Sequence, residues 1–181
     1  ALTVRDLTLC GLTTDGSALY PTPIVEVLGD IPHQICTFHI VAEVNKAVLG
    51  AVASARKGLA ATQPTLPRGR PSTQAAKAAA RTKKRLAGQC AALFTHRYLF
   101  VQRHLNKTER KTLWRVSRGL PQLQALRAIM EQVYAVFDRR CRTQTALAKL
   151  AKLRRRVQGC PSLRDALKKL FAPTLEKALT F

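Results

Sequence analysis

Short apolar runs separated by turn signals occupy the first third of the chain. Residues 7–13 and 33–40 are rich in apolar and β-branched side chains and predict two short strands. Residues 18–28 predict a helix with Ile24, Val25 and Leu28 facing the sheet, and residues 41–57 repeat apolar side chains at intervals of three and four. This strand–helix–strand–helix order predicts a parallel α/β unit.

Helical patterns fill most of the remaining chain. They predict a helix over 74–105, a short helix with Thr108 as its N-cap, and a helix that starts at Pro121. Residues 159–161 (Gly-Cys-Pro) interrupt the pattern, and Ser162 is expected to cap a final helix. The apolar stripe after Pro121 consists of Leu123, Leu126, Ile129, Met130, Val133 and Phe137.

The distribution of turn residues predicts two parts joined by a linker. Residues 58–72 contain two glycines and three prolines, which favours a linker between residues 1–57 and residues 73–181. The predicted fold class is therefore α/β and predominantly helical, with a small α/β part followed by a basic, all-helical part. The length of 181 residues is within the usual range for one domain.

Charge differs sharply between the two ends of the chain. The net charge is +21, from 31 Lys and Arg against 10 Asp and Glu. Residues 1–45 hold one base and five acids, a net charge of −4, whereas residues 46–181 hold 30 bases and five acids, a net charge of +25. Such an imbalance is costly through self-repulsion without a polyanion, so nucleic acid is the leading partner class.

Two helical segments carry the densest basic clusters. A solvated helix face is the usual interpretation of such clusters, but the +25 imbalance favours binding to the phosphates of nucleic acid. The aromatic side chains, Trp114 included, recur at helical core spacing and are expected in the core. The candidate backbone-binding residues are Lys77, Arg81, Lys83, Lys84 and Arg85 in the first segment and Lys149, Lys152, Arg154, Arg155 and Arg156 in the second.

Cysteine usage and hydropathy bear on the compartment. Five cysteines without a Cys-x-x-Cys pair, in a chain with an ample apolar core, predict reduced thiols and a cytosolic setting. No apolar run approaches the roughly 18–20 residues that span a bilayer, and no secretory signal is recognisable, so we expect no membrane partner.

Asp15 is the carboxylate placed where α/β folds present chemistry. It follows the first predicted strand, at the end where ligands collect in parallel sheets. One interpretation is a ligand for a divalent cation, because hard cations prefer oxygen donors. The alternative is a turn residue in Asp-Gly-Ser that caps the next helix, and spacing alone favours this alternative.

Cys36 and His39 form a Cys-x-x-His pair within the second predicted strand. Cysteine and histidine are zinc ligands, but a structural zinc site needs four ligands. Residues three apart in a strand point to opposite faces, which favours a buried cysteine and a polar strand-end histidine over a metal site. The chain has no GxSxG, P-loop, dinucleotide-binding glycine or HExxH motif.

Several runs together resemble the middle of DDE-type transposases of bacterial insertion sequences. These runs are Thr-Thr-Asp-Gly-Ser-Ala-Leu-Tyr at 13–20, Pro-His-Gln-Ile-Cys-Thr-Phe-His-Ile at 32–40 and Asn-Lys-Ala-Val at 45–48. Residues 105–110 (Leu-Asn-Lys-Thr-Glu-Arg) and the apolar positions after them are similar to the helical insertion of that family. The resemblance covers most of the chain, with its specific motifs in the first fifty residues.

The resemblance implies a partial RNase H-like core at 1–57 and a helical insertion at 73–181 that binds double-stranded DNA. Asp15 would be a catalytic carboxylate that binds Mg²⁺ or Mn²⁺, and Cys36 and His39 would be a conformational or DNA-proximal pair. The first Asp and the final Glu of the family pattern would lie outside the chain, so it is expected to be an inactive central fragment of an enzyme of DNA transposition. The intact protein would be cytoplasmic, nucleoid-associated and compatible with homo-oligomers.

Two alternatives to the transposase remain open from the sequence. The first is a non-enzymatic, basic nucleic-acid-binding protein with a small α/β cap, in which Asp15 is only a helix cap. The second is an RNase H-like nuclease unrelated to transposition, for which the same metal prediction holds but the substrate is an RNA–DNA hybrid.

Overall fold

Two short parallel strands, six α-helices and one 3₁₀ turn are found in the part of the chain that the structure describes. The computed structural model describes residues 9–15, 17–138, 142–160 and 164. Within them the fold is α/β and predominantly helical, which confirms the predicted class. Two compact units result, Ala1–Val44 with Gln132–Phe181 as unit 1 and Asn45–Glu131 as unit 2. The division into residues 1–57 and 73–181, joined by a linker at 58–72, remains a prediction.

The sheet in unit 1 is a pair of three-residue strands. Strand β1 (Leu12–Thr14) pairs in parallel with β2 (His33–Ile35), in a register that sets Leu12 opposite His33 and Thr14 opposite Ile35. The amide of Cys36 extends the pairing by donating to the carbonyl of Thr14 at 2.6 Å. The parallel arrangement is as predicted, but β1 starts later than the predicted strand at 7–13.

Helix α1 (Pro21–Leu28) connects the two strands. Pro21 lies in its first turn, where the missing N–H has no helical partner to lose. Of the three side chains predicted to face the sheet, Ile24 is buried, but Val25 is 61% exposed and Leu28 is also exposed, so the prediction is wrong for these two. A sheet of two strands about 5 Å apart is narrower than a helix of about 10 Å diameter, so it can cover only part of the helix surface.

Helix α2 (Thr37–Ala61) replaces the second half of the predicted second strand. Residues 37–40 form its first turn, in which the carbonyl of Cys36 accepts from the amides of His39 at 3.1 Å and Ile40 at 3.3 Å. Ile40 is also the first member of a buried stripe that continues through Val44, Val48 and Val52 at helical spacing. The strand prediction for 37–40 is wrong because this stripe starts earlier than expected.

The length and composition of α2 would by themselves allow it to cross a membrane, and within the described residues no other helix passes that test. The core helix of a soluble protein passes it as well. Val44 and Val48 are fully buried within the protein, while Glu43 and Lys46 lie on the same helix. This one-sided burial is typical of an amphipathic helix that packs one face against a protein core.

Unit 2 continues with α3 (Gln74–Thr95), a 3₁₀ turn (Arg97–Phe100) and α4 (Lys107–Ser117). The helix predicted over 74–105 therefore ends ten residues early. Asn106, and not Thr108, caps α4: its side chain accepts from the amide of Glu109 at 2.8 Å. The Glu109 carboxylate accepts in return from the amide of Asn106, also at 2.8 Å. The pKa of Glu109 is lowered by this backbone hydrogen bond and by the Gln102 side chain.

Helix α5 (Pro121–Phe137) begins in unit 2 as predicted, and most of its predicted apolar stripe is buried. The sequence prediction missed one member of the buried face, Arg127, which is only 8% exposed. Its Nη1 donates to the carbonyl oxygens of Leu99 at 3.1 Å and Gln102 at 2.7 Å. Arg127 thereby holds the chain that follows the 3₁₀ turn against α5.

Helix α6 (Thr143–Gln158) belongs to unit 1 and buries Leu150, Leu153 and Val157. It ends just before Gly159, in agreement with the predicted stop. Lys149 of α6 donates from Nζ to the carbonyl of Ala135 at 3.1 Å, near the end of α5. The predicted final helix after Ser162 lies outside the described residues except for Arg164.

Candidate functional site

Asp15 stands directly after β1, at the carboxyl end of the parallel pair. Its Oδ1 accepts a hydrogen bond from the amide of Ser17 at 2.9 Å, and the residue is exposed. A carboxylate bonded to the amide two residues later is an Asx turn. The side chain therefore stabilises the chain reversal after β1, and its other carboxylate oxygen lies at the end of the sheet where α/β proteins bind ligands.

The structure brings Cys36 and His39 together at the end of β2. Because they precede and begin a helix, a spacing of three places them on the same side, and the argument that they point to opposite faces is wrong. The pKa of the Cys36 thiol is lowered by a hydrogen bond from the His39 side chain, then by the amides of Phe38 and His39. Donors at a helix N-terminus stabilise the thiolate.

A polar contact joins the two strands near this end of the sheet. Thr14 Oγ1 and Nε2 of His33 lie 2.8 Å apart and form a partly buried hydrogen bond. His33 is thus bonded to the strand that precedes Asp15. Thr14 is the last residue of β1, and Asp15 and Cys36 directly follow β1 and β2, so all three lie at the carboxyl ends of the two parallel strands.

The strand-end residues do not form a metal site by themselves. Among the described residues no group of three or more His, Cys, Asp or Glu side chains is arranged to hold a metal ion. Mg²⁺ or Mn²⁺ requires several oxygen ligands, and Asp15 supplies one carboxylate that already bonds the amide of Ser17. The described residues therefore supply at most one ligand and do not by themselves complete a site for the cation that the sequence resemblance implies.

The basic residues of α3 form a stripe on its exposed face, which we name the α3 stripe. Lys77, Arg81 and Lys84 recur at four and three residues, within an arc of about 60° on the helix. They lie opposite Leu86 and Leu93, which are buried in unit 2. All three side chains are exposed, as is Arg85 at the edge of the stripe.

Lys83 departs from this arrangement. It is exposed, but it lies about 160° around α3 from Arg81, whereas Arg85 lies only about 40° from Arg81. The five predicted residues of the first basic segment therefore divide into a stripe of four and one outlying lysine.

The second basic cluster is on α6 in unit 1. Lys152, Arg155 and Arg156 line one shallow surface depression together with Gln132. Arg154 is exposed outside this depression, and Lys149 bonds the Ala135 carbonyl. The structure therefore gathers three of the five predicted residues of this segment in one place.

The prediction that the aromatic residues lie in the core is wrong for several of them. Phe100 and Tyr134 are buried, but Phe94 is 51%, Tyr98 56% and Trp114 61% exposed. The spacing of residues along a helix shows which of them share a face, but not which face is buried. On α4 the buried face contains Leu113, and Trp114 lies outside it.

Arginine guanidinium groups lie over these exposed rings. Arg97 lies 4.4 Å from the centroids of both Phe94 and Tyr98, and Arg56 lies 5.1 Å from that of Phe94. Arg97 also donates to the Phe94 carbonyl at 2.7 Å and to the Tyr98 hydroxyl at 3.2 Å. These contacts hold the guanidinium in place by cation–π attraction and hydrogen bonding.

Trp114 has a similar neighbour. The guanidinium of Arg118 lies 5.5 Å from its ring centroid. The sequence signal for such sites is an arginine three or four residues after an aromatic residue on a helix, as in Phe94 to Arg97 and Trp114 to Arg118.

Comparisons of the chain with protein-family models, with curated proteins and with solved structures find no match.

Proposed function

We propose that this chain binds the phosphate backbone of double-stranded DNA as part of a DDE-type transposase with an RNase H-like core. The observation that carries the proposal is the α3 stripe, in which Lys77, Arg81 and Lys84 line the face of α3 opposite Leu86 and Arg85 lies at the edge of that face. Lysine and arginine side chains aligned along a helix neutralise successive phosphates without reading bases. The Lys152, Arg155 and Arg156 cluster supplies a further cationic surface.

The strand-end residues are the part of the proposal that concerns catalysis. Asp15 is the proposed catalytic carboxylate, and Cys36 with His39 lies after the neighbouring strand. Because the described residues do not form a metal site, the other ligands of a catalytic cation would have to come from elsewhere in the enzyme. We place the intact protein in the bacterial cytoplasm on the nucleoid, away from membranes and compatible with homo-oligomers.

The salt dependence of duplex binding tests the proposal. A fluorescently labelled DNA duplex is titrated with the protein at several salt concentrations and followed by anisotropy. Each neutralised phosphate contributes roughly −0.9 to the slope of log K against log salt, so engagement of the α3 stripe predicts a slope of about −3 or steeper. An affinity that does not change between low and high salt contradicts phosphate binding.

A non-enzymatic nucleic-acid-binding protein is a second candidate function. The Asx turn of Asp15 with Ser17 favours it, because that hydrogen bond gives the carboxylate a structural task without catalysis. This candidate makes the same prediction for duplex binding. Strand-transfer activity that depends on the Asp15 charge in the intact protein distinguishes the two functions.

A further inference from the structure

A tryptophan lies among cations on the exposed side of α4. Arg110, Lys111, Trp114, Arg115 and Arg118 line one surface depression of unit 2, which we name the α4 surface. Trp114 is 61% exposed, an unusual position for the largest apolar side chain. The α4 surface includes no residue of the α3 stripe, and it does not include Lys152, Arg155 or Arg156 of α6.

The framework of unit 2 holds this surface in position. Leu113 and Val116 bury the opposite side of α4, and the Asn106–Glu109 capping box closes its first turn. At the other end Gln89 of α3 donates to the carbonyls of Val116 and Arg118, the latter at 3.2 Å. Trp114 is therefore presented on a fixed helix and not on a loop.

The electrostatics of the α4 surface select an anion. Its lining contains three arginines and a lysine and no carboxylate. Glu109 is the acid on α4, and its carboxylate bonds the amide of Asn106 and the side chain of Gln102. A positive surface with an exposed indole combines the two elements that bind a nucleic-acid strand with unstacked bases, which are cations for phosphates and a ring for a base.

We propose that the α4 surface binds single-stranded DNA, with an unpaired base stacked on the Trp114 ring and the flanking phosphates paired to Lys111, Arg115 and Arg118. A DNA duplex would contact only the cationic side chains and not the Trp114 ring, because its bases are already stacked on one another. The α3 stripe has no aromatic residue and is suited to that purpose. An unpaired strand uses the ring as well.

Trp114 is better placed for this role than Phe94, which also lies in unit 2. Two guanidinium groups lie over Phe94, those of Arg56 at 5.1 Å and Arg97 at 4.4 Å. Arg118 lies further from the Trp114 centroid, at 5.5 Å. The larger indole face is therefore the more accessible platform for a base.

The inference rests on the proposed function for the class of polymer, but its test separates the two. Trp114 is the single tryptophan of the chain, so intrinsic fluorescence reports on this site alone. Oligo(dT) of about 12 nucleotides is titrated into the protein, and anisotropy of a labelled oligonucleotide records binding independently. A duplex of equal length and a polyglutamate peptide are titrated in parallel.

Stacking predicts strong quenching of Trp114 at saturation with oligo(dT) and little change with the duplex or the peptide. Trp114→Leu is expected to weaken oligo(dT) binding about 10-fold, and Trp114→Phe, which retains a ring, to restore most of it. Duplex affinity stays unchanged in both variants, which also shows that they fold.

Three results would overturn the inference. The first is oligo(dT) that binds by anisotropy without quenching Trp114. The second is equal affinity of Trp114→Leu and Trp114→Phe for oligo(dT), and the third is equal quenching by polyglutamate, which would assign the surface to an acidic protein. Duplex binding that persists in these cases leaves the proposed function intact, whereas the absence of binding to both DNA forms overturns both proposals.

Discussion

Nε of Arg127 donates a hydrogen bond to Oε1 of Glu131 at 2.9 Å, one helical turn further along α5. The guanidinium is nearly buried, whereas the Glu131 side chain is 58% exposed. Since Arg127 also bonds the carbonyls of Leu99 and Gln102, the charge serves to satisfy backbone acceptors as much as to form an ion pair. The two residues of the pair therefore contribute unequally to stability.

Arg127→Met is expected to destabilise the protein by about 1–3 kcal/mol, because it leaves two carbonyl oxygens without their donor. Urea unfolding followed by Trp114 fluorescence, which reports on the same unit, measures the free energy of unfolding. The matched control Glu131→Gln removes only an exposed charge and is expected to cost less than about 1 kcal/mol. Equal losses in the two variants would show that the ion pair dominates.

The N-cap of α4 is tested by a pair of neighbouring substitutions. Asn106→Ala removes the side chain that accepts from the Glu109 amide, and it is expected to cost about 1 kcal/mol. Thr108→Ala, at the position that the sequence favours as the cap, is expected to have little effect. The same urea unfolding experiment compares them, and a larger loss from Thr108→Ala would refute the observed cap.

The order of strands and helices could be predicted from the sequence, whereas the length of the second strand could not. Residues 36–40 alternate with a period of two, yet Ile40 also starts the helical repeat that continues with Val44 and Val48. Over residues 36–40 the pattern therefore fits both the two-residue period of a strand and the period of a helix. The helix forms because its first turn bonds to the Cys36 carbonyl and its stripe is buried for three further turns.

The exposure of the basic residues in the candidate site could be predicted from their charge alone. Lys77, Arg81 and Lys84 are exposed as expected, since a lysine or arginine without a partner stays in water. Two residues depart from this expectation in opposite directions. Trp114 is aromatic but exposed, and Arg127 is charged but buried. Both depend on which neighbours cover a helix face, and that is a property of tertiary packing and not of local periodicity.

The pair Cys36 and His39 predicts a reactive thiol. Because the His39 side chain and two backbone amides lower the Cys36 pKa, a larger fraction is thiolate near neutral pH than for an ordinary cysteine. The pH profile of iodoacetamide alkylation, read at Cys36 by peptide mass spectrometry, is expected to shift to lower pH. The exposed Cys10 in the same digest is the internal reference.

His39→Ala removes the largest cause of the lowered Cys36 pKa and is expected to shift the alkylation profile of Cys36 back to higher pH. The stability contribution of the thiolate has a definite sign. Because the folded-state pKa is lower than the unfolded one, the contribution is present above the ordinary thiol pKa and is lost as pH falls through the lowered value. Identical profiles in the wild type and His39→Ala would contradict the hydrogen bond.

Adjacent lysines on α3 test which face meets DNA. Lys84→Gln removes a cation from the α3 stripe and is expected to weaken duplex binding and reduce the magnitude of the salt slope by about 0.9. Lys83→Gln removes the same charge from the flank and is expected to leave both quantities nearly unchanged. If the two variants lose affinity equally, net charge and not the stripe accounts for binding.

Asp15→Asn separates the structural task of this residue from the proposed catalytic one. Asparagine retains a carbonyl oxygen that accepts from the Ser17 amide, so the turn after β1 and the free energy of unfolding should be preserved within about 0.5 kcal/mol. The negative charge is lost, and strand transfer by the intact protein is expected to fall roughly 100-fold or more. Asp30→Asn, which removes another exposed carboxylate from the same unit, is the control and should remain active. Undiminished strand transfer by Asp15→Asn would confine this residue to the Asx turn and favour the non-enzymatic function.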